Sequence, residues 1–271
     1  QQEDETWFRK QSEVLMPPQS RADSDGSYKL LFSHPEMVES LIRNFVPDNW
    51  VQELDFSTLE KGNTSYVSED LRQRHDDIIW RVKWRDAWCY VYLLIEFQSS
   101  VDPWMALRIM VYVGLLYQDL IARQEVQSGD YLPPVFPLVF YNGLPRWTAR
   151  QDIADLIRPA PGSLAKYIPS QRYFVLDEGR ISRRNLSRVS GLAGILVQME
   201  QAESPQALQA GLNELIVRLQ GPQYASLRLA FTVWVQRVLL GRLVPEEMDP
   251  EIQDLQEVEA MLAERVTQWA E

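Results

Sequence analysis

The stretch His75-Asp76-Asp77-Ile78-Ile79-Trp80-Arg81-Val82-Lys83-Trp84-Arg85-Asp86-Ala87-Trp88-Cys89-Tyr90-Val91-Tyr92-Leu93-Leu94-Ile95-Glu96-Phe97-Gln98 reads as two strands folded back on each other. Ile78 to Trp84 is rich in β-branched and aromatic residues, and so is Trp88 to Phe97. Asp86-Ala87 is the expected two-residue tip, although Asp-Gly would be the stronger signal. With that tip, partner numbers sum to 173 and Asp77 falls directly opposite Glu96. Side chains in such a pair stand about 4.5–5.5 Å apart at Cβ. Two carboxylates held that close on an apolar ribbon repel unless something neutralises them, and a divalent cation taking oxygen ligands is the usual solution. The bland alternative is a pair of strand ends meeting solvent. The second strand is apolar at nearly every position from Cys89 to Ile95, which is the pattern of a central strand covered on both faces.

Working outward, Pro35 to Phe45 reads as a helix. Ser33 is its expected N-cap, with Glu36 in capping-box position and Met37, Val38, Leu41, Ile42 and Phe45 as the buried stripe. Leu54 to Leu59 reads as a strand, with Lys61-Gly62-Asn63 as a turn. Asp102-Pro103 opens a long apolar helix expected to run to about Gln127 and to end near Gly129. Pro137 to Tyr141 is a strand stopped by Asn142-Gly143, and Tyr173 to Leu176 a short edge strand. Beyond about Arg180 the pattern is helical, in segments Leu192–Met199, Pro205–Leu219, Leu227–Leu240 and Asp254–Trp269. Helix, three strands, helix, strand predicts an α/β fold with a mixed central sheet, followed by a C-terminal helical region. The expected division is an N-terminal arm (1–26), an α/β domain (27–178) and the helical region (179–271).

Composition narrows the function. The chain has 271 residues, 45% of them hydrophobic and 24% charged, which are globular values. One cysteine, Cys89, excludes an internal disulfide framework and fits a reducing compartment. Two histidines, His34 and His75, argue against a multi-histidine zinc site. No run of 18 apolar residues suggests a membrane span, and the acidic start has no signal-peptide pattern, so a cytoplasmic protein without a membrane partner is expected. The net charge of −11 is unevenly spread: residues 141–190 hold 9 Lys+Arg against 4 Asp+Glu, whereas residues 191–271 hold 5 against 12. The basic block is either a solvated surface or a phosphate-contacting flank.

Four segments in order carry a family resemblance. They are Leu30-Leu31-Phe32-Ser33-His34-Pro35-Glu36-Met37-Val38, the run from Asp70 to Val82, the run from Leu94 to Pro103, and Pro133-Pro134-Val135-Phe136-Pro137-Leu138-Val139-Phe140-Tyr141-Asn142-Gly143. Asp on one strand and Glu-x-Gln on the next resembles the PD-(D/E)xK nuclease superfamily. More narrowly, the four segments resemble the Rpn family of recombination-promoting nucleases, also labelled transposases. The resemblance implies a restriction-endonuclease-like core and a metal-dependent DNA endonuclease using Mg²⁺, or Mn²⁺ or Ca²⁺. Asp77 and Glu96, with the backbone carbonyl of Phe97, would hold the ion. Gln98, where the wider superfamily has Lys, would position the attacking water. The proline that opens the superfamily motif is replaced by Asp76.

Other residues admit two readings. His75 either touches a phosphate or is a surface histidine. Glu36 is either a third metal ligand supplied by the first helix or simply the capping-box residue. Tyr141 ends a strand near the expected site and could meet substrate. Arg81 and Lys83 share a face with Asp77 and either contact DNA or lie along the surface. DNA is the expected partner, with a homodimer through the acidic, amphipathic C-terminal helices. A catalytically weak or inactive DNA-binding module on the same fold is the alternative.

Overall fold

The computed structural model describes residues 26–62, 77–96, 101–143, 145–240 and 254–260. By contacts the chain divides into two compact units, residues 48–181, and residues up to 47 together with those from 182 onward.

The first unit is built on a five-stranded sheet in the order β1-β2-β3-β4-β5. The strands are β1 (Leu54–Lys61), β2 (Asp77–Trp84), β3 (Ala87–Glu96), β4 (Val135–Tyr141) and β5 (Phe174–Asp177). The pairs β1/β2 and β2/β3 are antiparallel, while β3/β4 and β4/β5 are parallel. The sheet is therefore mixed, as the element order implied. β3 is central, and consecutive Cys89, Tyr90 and Val91 are all buried, so both of its faces are covered there. Helix α2 (Met105–Ala122) supplies the crossover between the parallel strands β3 and β4; the shorter helix α1 (Pro35–Phe45) precedes the sheet in sequence.

The hairpin closes one residue earlier than the sequence reading placed it. Trp84 pairs with Ala87, so the tip is Arg85-Asp86, and Asp77 pairs with Leu94. Arg85 takes a left-handed conformation (φ 55°), the geometry of the first loop residue in tight hairpin turns. Partner numbers thus sum to 171, and Asp77 is not directly opposite Glu96. A one-residue slip of a strand would exchange its faces; this two-residue change keeps them. Positions 77, 94 and 96 still belong to one face of the sheet.

That face is covered by α2. Ile79, Tyr90, Val139 and Tyr141 pack in one core with Met105, Ile109, Tyr112, Val113, Leu116 and Leu120, whose three-and-four spacing forms the inner stripe of the helix. By length and composition α2 is apolar enough to cross a membrane, and this packing buries its inner stripe against the sheet. The helix stops at Ala122, short of Gln127. Gln124 adopts φ 60° and its N–H bonds the Ile121 carbonyl, while the Glu125 N–H bonds the Leu120 carbonyl. That is a Schellman termination with Gln in the position glycine usually takes.

In the second unit, α1 has the predicted limits and buries Met37, Val38, Leu41 and Ile42. Its N-cap is His34, not Ser33, and makes no side-chain capping bond. Ser33 is turned back to the Lys29 carbonyl (2.6 Å) because residues 26–32, for which the sequence reading proposed no helix, are already helical. Tyr28, Leu31 and Phe32 are fully buried there, and Tyr28 meets Trp234 edge-on. Helices α3 (Leu192–Glu200), α4 (Pro205–Arg218) and α5 (Ala225–Trp234) lie close to their predicted limits. Ser204 caps α4 through the Ala207 N–H (3.2 Å) with Pro205 in its first turn, and a π-helical turn (Val235–Leu240) follows α5. α1 packs on α3: Ser40 Oγ accepts the Ala193 N–H (3.0 Å). A Cβ on Gly191 would meet that oxygen at 2.8 Å, and Gly191 also has φ 94°, so both space and backbone require glycine.

Candidate functional site

One end of the sheet gathers the candidate residues. β2 begins at Asp77; antiparallel to it, β3 ends at Glu96. β4 ends at Tyr141, the register partner of Glu96, and β5 ends at Asp177, the register partner of Tyr141. Partners in register share a face, so Glu96, Tyr141 and Asp177 form a row across three parallel strands, with Asp77 on the same face beside them. The carboxyl ends of parallel strands are where open α/β sheets bind ligands. Asp77 and Glu96 are diagonal neighbours across β2 and β3, a relation that spans about 7–8 Å between backbones. Two carboxylates are hard oxygen donors of the kind Mg²⁺, Mn²⁺ and Ca²⁺ accept, so the donor chemistry at these positions fits such an ion. Among the described residues no group of three or more His, Cys, Asp or Glu side chains is arranged as a metal site.

Phe97, Gln98 and His75 lie outside the described residues. Glu36 sits in the first turn of α1, in the other compact unit; its Oε2 is buried without a hydrogen-bond partner among the described residues. Tyr141 is completely buried, its ring edge-on to Trp147 at 4.9 Å. A Cβ on Gly143 would overlap the Tyr141 phenol, so the Tyr-Asn-Gly sequence is a packing requirement at the strand end.

Asp177 is the residue that sequence reasoning missed. It is 8% exposed; its Oδ2 accepts the Trp147 N–H at 3.0 Å and lies 3.9 Å from Arg180 Nε. The signal was present as a carboxylate closing the last short strand, but only the register puts it in line with Glu96. Trp147 also donates to the Tyr173 hydroxyl (3.2 Å), so the segment after β4 is pinned beside the strand ends. Burial, opposed by the Trp147 hydrogen bond and reinforced by the charge of Asp102, pushes the Tyr173 phenol up to about 12. It is a structural tyrosine at neutral pH.

Two other candidates are accounted for by packing. Arg81 bonds Glu60 and reaches Glu125 Oε2 at 2.9 Å, with its guanidinium 4.5 Å from the Trp88 ring centroid. Lys83 lies over the same ring at 5.5 Å. Burial raises the Cys89 thiol to about 11, leaving it un-ionised and a poor nucleophile at neutral pH.

Residues 142–180, from the end of β4 to just past β5, carry the basic character anticipated for residues 141–190. Arg146, Arg150, Arg158, Lys166, Arg172 and Arg180 are exposed, whereas Asp152, Asp177 and Glu178 are buried and only Asp155 is an exposed acid between Asn142 and Arg180. Arg146, Arg158 and Lys166 form no ion pair among the described residues.

Comparison with known proteins adds a family. The profile of the family described as "Putative transposase, YhgA-like" matches residues 23–225. Recombination-promoting nuclease RpnD of Escherichia coli O157:H7 is 34% identical over 119 residues, 44% of this chain and 45% of that protein. Recombination-promoting nuclease RpnA of Escherichia coli K12 is 31% identical over 128 residues, 46% of this chain and 42% of that protein. A third relative at 31% identity over 119 residues, covering 44% of this chain and 38% of its own length, is the inactive recombination-promoting nuclease-like protein RpnE of Escherichia coli K12. The chain thus spans less than half the length of these curated relatives. No solved structure matches the chain.

Proposed function

We infer that this chain, which belongs to the YhgA-like transposase family, is a divalent-metal-dependent DNA endonuclease that hydrolyses phosphodiester bonds in DNA recombination or mobile-element biology. The observation that carries the reading is the placement of Asp77 and Glu96 on one face at one end of the sheet, diagonal across β2 and β3. The names of the relatives RpnD and RpnA support it.

In this reading Asp77, Glu96 and the Phe97 carbonyl would hold Mg²⁺, Mn²⁺ or Ca²⁺. When bound, such an ion polarises the scissile phosphate and makes a coordinated water more acidic. Gln98, two residues beyond Glu96, hydrogen-bonds the attacking water. Being neutral, it orients the water without stabilising hydroxide as a lysine would. Hydrolysis forms the bond from the water oxygen to phosphorus, with that water giving up a proton to solvent, and breaks the bond to the leaving sugar oxygen, which takes up a proton from solvent. The exposed arginines and Lys166 between β4 and β5 begin at the same end of the sheet and hold backbone phosphates by charge. The buried, unoxidised Cys89 agrees with action in the cytoplasm.

A supercoiled-plasmid nicking assay with Mg²⁺ or Mn²⁺ tests the proposal. Relaxed and linear products are expected from the unmodified chain and none from the Asp77→Asn, Glu96→Gln double variant; equal cleavage by both refutes the assignment. Gln98 and the inactive relative favour a second reading, a DNA-binding module that does not cut. Metal-independent DNA binding with no nicking under any divalent ion selects it.

A further inference from the structure

Helix α2 has a second apolar stripe, on the face turned away from the sheet. Trp104, Leu107, Val111 and Ile121 are 59%, 41%, 46% and 53% exposed. Gly114 and Gln118 are exposed between them, and a Cβ on Gly114 would meet nothing within 4 Å. The spacing 104, 107, 111, 114, 118, 121 alternates three and four residues, which is the a/d seam of a coiled coil. None of the six side chains is ionisable. The neighbouring charges are satisfied within the chain: Arg108 pairs with Asp102 (2.9 Å) and Asp119 with Arg123 (2.6 Å). A solvated helix surface places charges at such positions; this one leaves an uncharged strip about 27 Å long, apolar except at Gln118.

We propose that this stripe is a homodimer interface, in which α2 of one copy packs antiparallel against α2 of a second copy about a two-fold axis. The occupant follows from the pattern. Antiparallel coiled-coil packing sets each a position against a d position of the partner helix. Here that pairs residues whose numbers sum to 225: Trp104 with Ile121, Leu107 with Gln118, and Val111 with Gly114. A two-fold contact must be self-complementary in this way. The central layer sets a branched side chain against a glycine, so the helices approach closely where the axis passes. The four large side chains leave roughly 400 Å² of apolar surface, a size that marks interaction sites on soluble proteins. Two copies remove about twice that from water through the stripe alone. With the flanking Pro103 and Ala122, the contact reaches the ~1,000 Å² a specific interface needs. The neutrality of the strip disfavours nucleic acid as its occupant. This inference stands independently of the nuclease reading, and it places the dimer contact on α2 in place of the C-terminal helices.

Sedimentation equilibrium at micromolar concentration tests it, with the whole chain. The unmodified protein is expected to be dimeric, and Leu107→Glu with Val111→Glu to raise the dissociation constant at least 100-fold without altering the far-ultraviolet circular dichroism. Leu229→Glu, at an exposed apolar residue of α5, serves as control and should leave the dimer intact. Independently, a Val111→Cys, Gly114→Cys variant should form an intermolecular disulfide under mild oxidation, Cys89 being buried. A monomer at 100 μM, a dimer indifferent to the glutamates, or flotation of the chain with phosphatidylcholine vesicles that the glutamates abolish would each overturn the proposal.

Discussion

Asp152 shows how much one buried carboxylate organises in the segment that leads into β5. Its Oδ1 accepts the N–H groups of Ala154 (2.9 Å) and Gln171 (3.2 Å), and its Oδ2 accepts from Ser170 (2.8 Å) and Arg172 (2.9 Å). Burial alone would raise its pKa, but these donors outweigh it and bring the carboxyl down to about 2 from an ordinary 3.8. A depressed carboxyl contributes its stability in full above its free-chain value. That contribution is expected to fade as pH falls from about 4 through about 2. Replacing Asp152 with Ala removes a helix cap and a charge-assisted bond, and should cost about 2–3 kcal/mol in urea unfolding at pH 7. The difference between the two proteins should shrink by pH 2; a pH-independent difference would contradict the electrostatic account. Nothing local in the sequence pairs Asp152 with Arg172, twenty residues on, so this hub was not legible there. The strand-end positions of Asp77, Glu96 and Tyr141 were legible because the apolar runs stop there, whereas the complete burial of Tyr141 was not. Asp177 was not, because its relevance depends on register across two strand pairs.

At the scale of elements, periodicity located nearly every helix and strand, while the ends were decided by backbone conformations that composition does not announce. Arg85 and Gln124 occupy left-handed conformations where glycine is the easier residue. The first sets the hairpin tip and the second ends α2, and both boundaries differ from those the sequence suggested. Gln124→Gly should stabilise the sheet unit by about 0.5–1 kcal/mol in thermal or urea unfolding. Arg85→Gly should also stabilise it, less an exposed ion pair with Glu53 (2.7 Å) of small worth. Loss of stability in both variants would show that their side-chain contacts outweigh backbone strain. The hairpin error was harmless to the site because moving a tip by one residue shifts partners by two and preserves faces. Ser33 was misread for a different reason: helical residues 26–32 precede it and take its hydroxyl.

For the whole molecule, the division into two units assigns α1 to the helical unit, so the first helix of the linear core pattern is not part of the sheet unit. The chain is acidic overall, yet the surface from Asn142 to Arg180 is basic, with three of its four acids buried. If that segment holds DNA, neutralising Arg146, Arg158 and Lys166 to Gln should weaken binding uniformly across sequences. The slope of log affinity against log salt should fall in magnitude by about 2 to 3 in fluorescence anisotropy with EDTA present. An unchanged slope would remove the segment from the DNA interface and leave the cleavage chemistry untouched. Calorimetric titration with Mn²⁺ tests the metal-binding role proposed for Asp77 and Glu96 without reference to cleavage. Saturable binding at one site per chain is expected, abolished in the folded Asp77→Asn, Glu96→Gln variant. Identical binding heats from both proteins, or none from either, would contradict it.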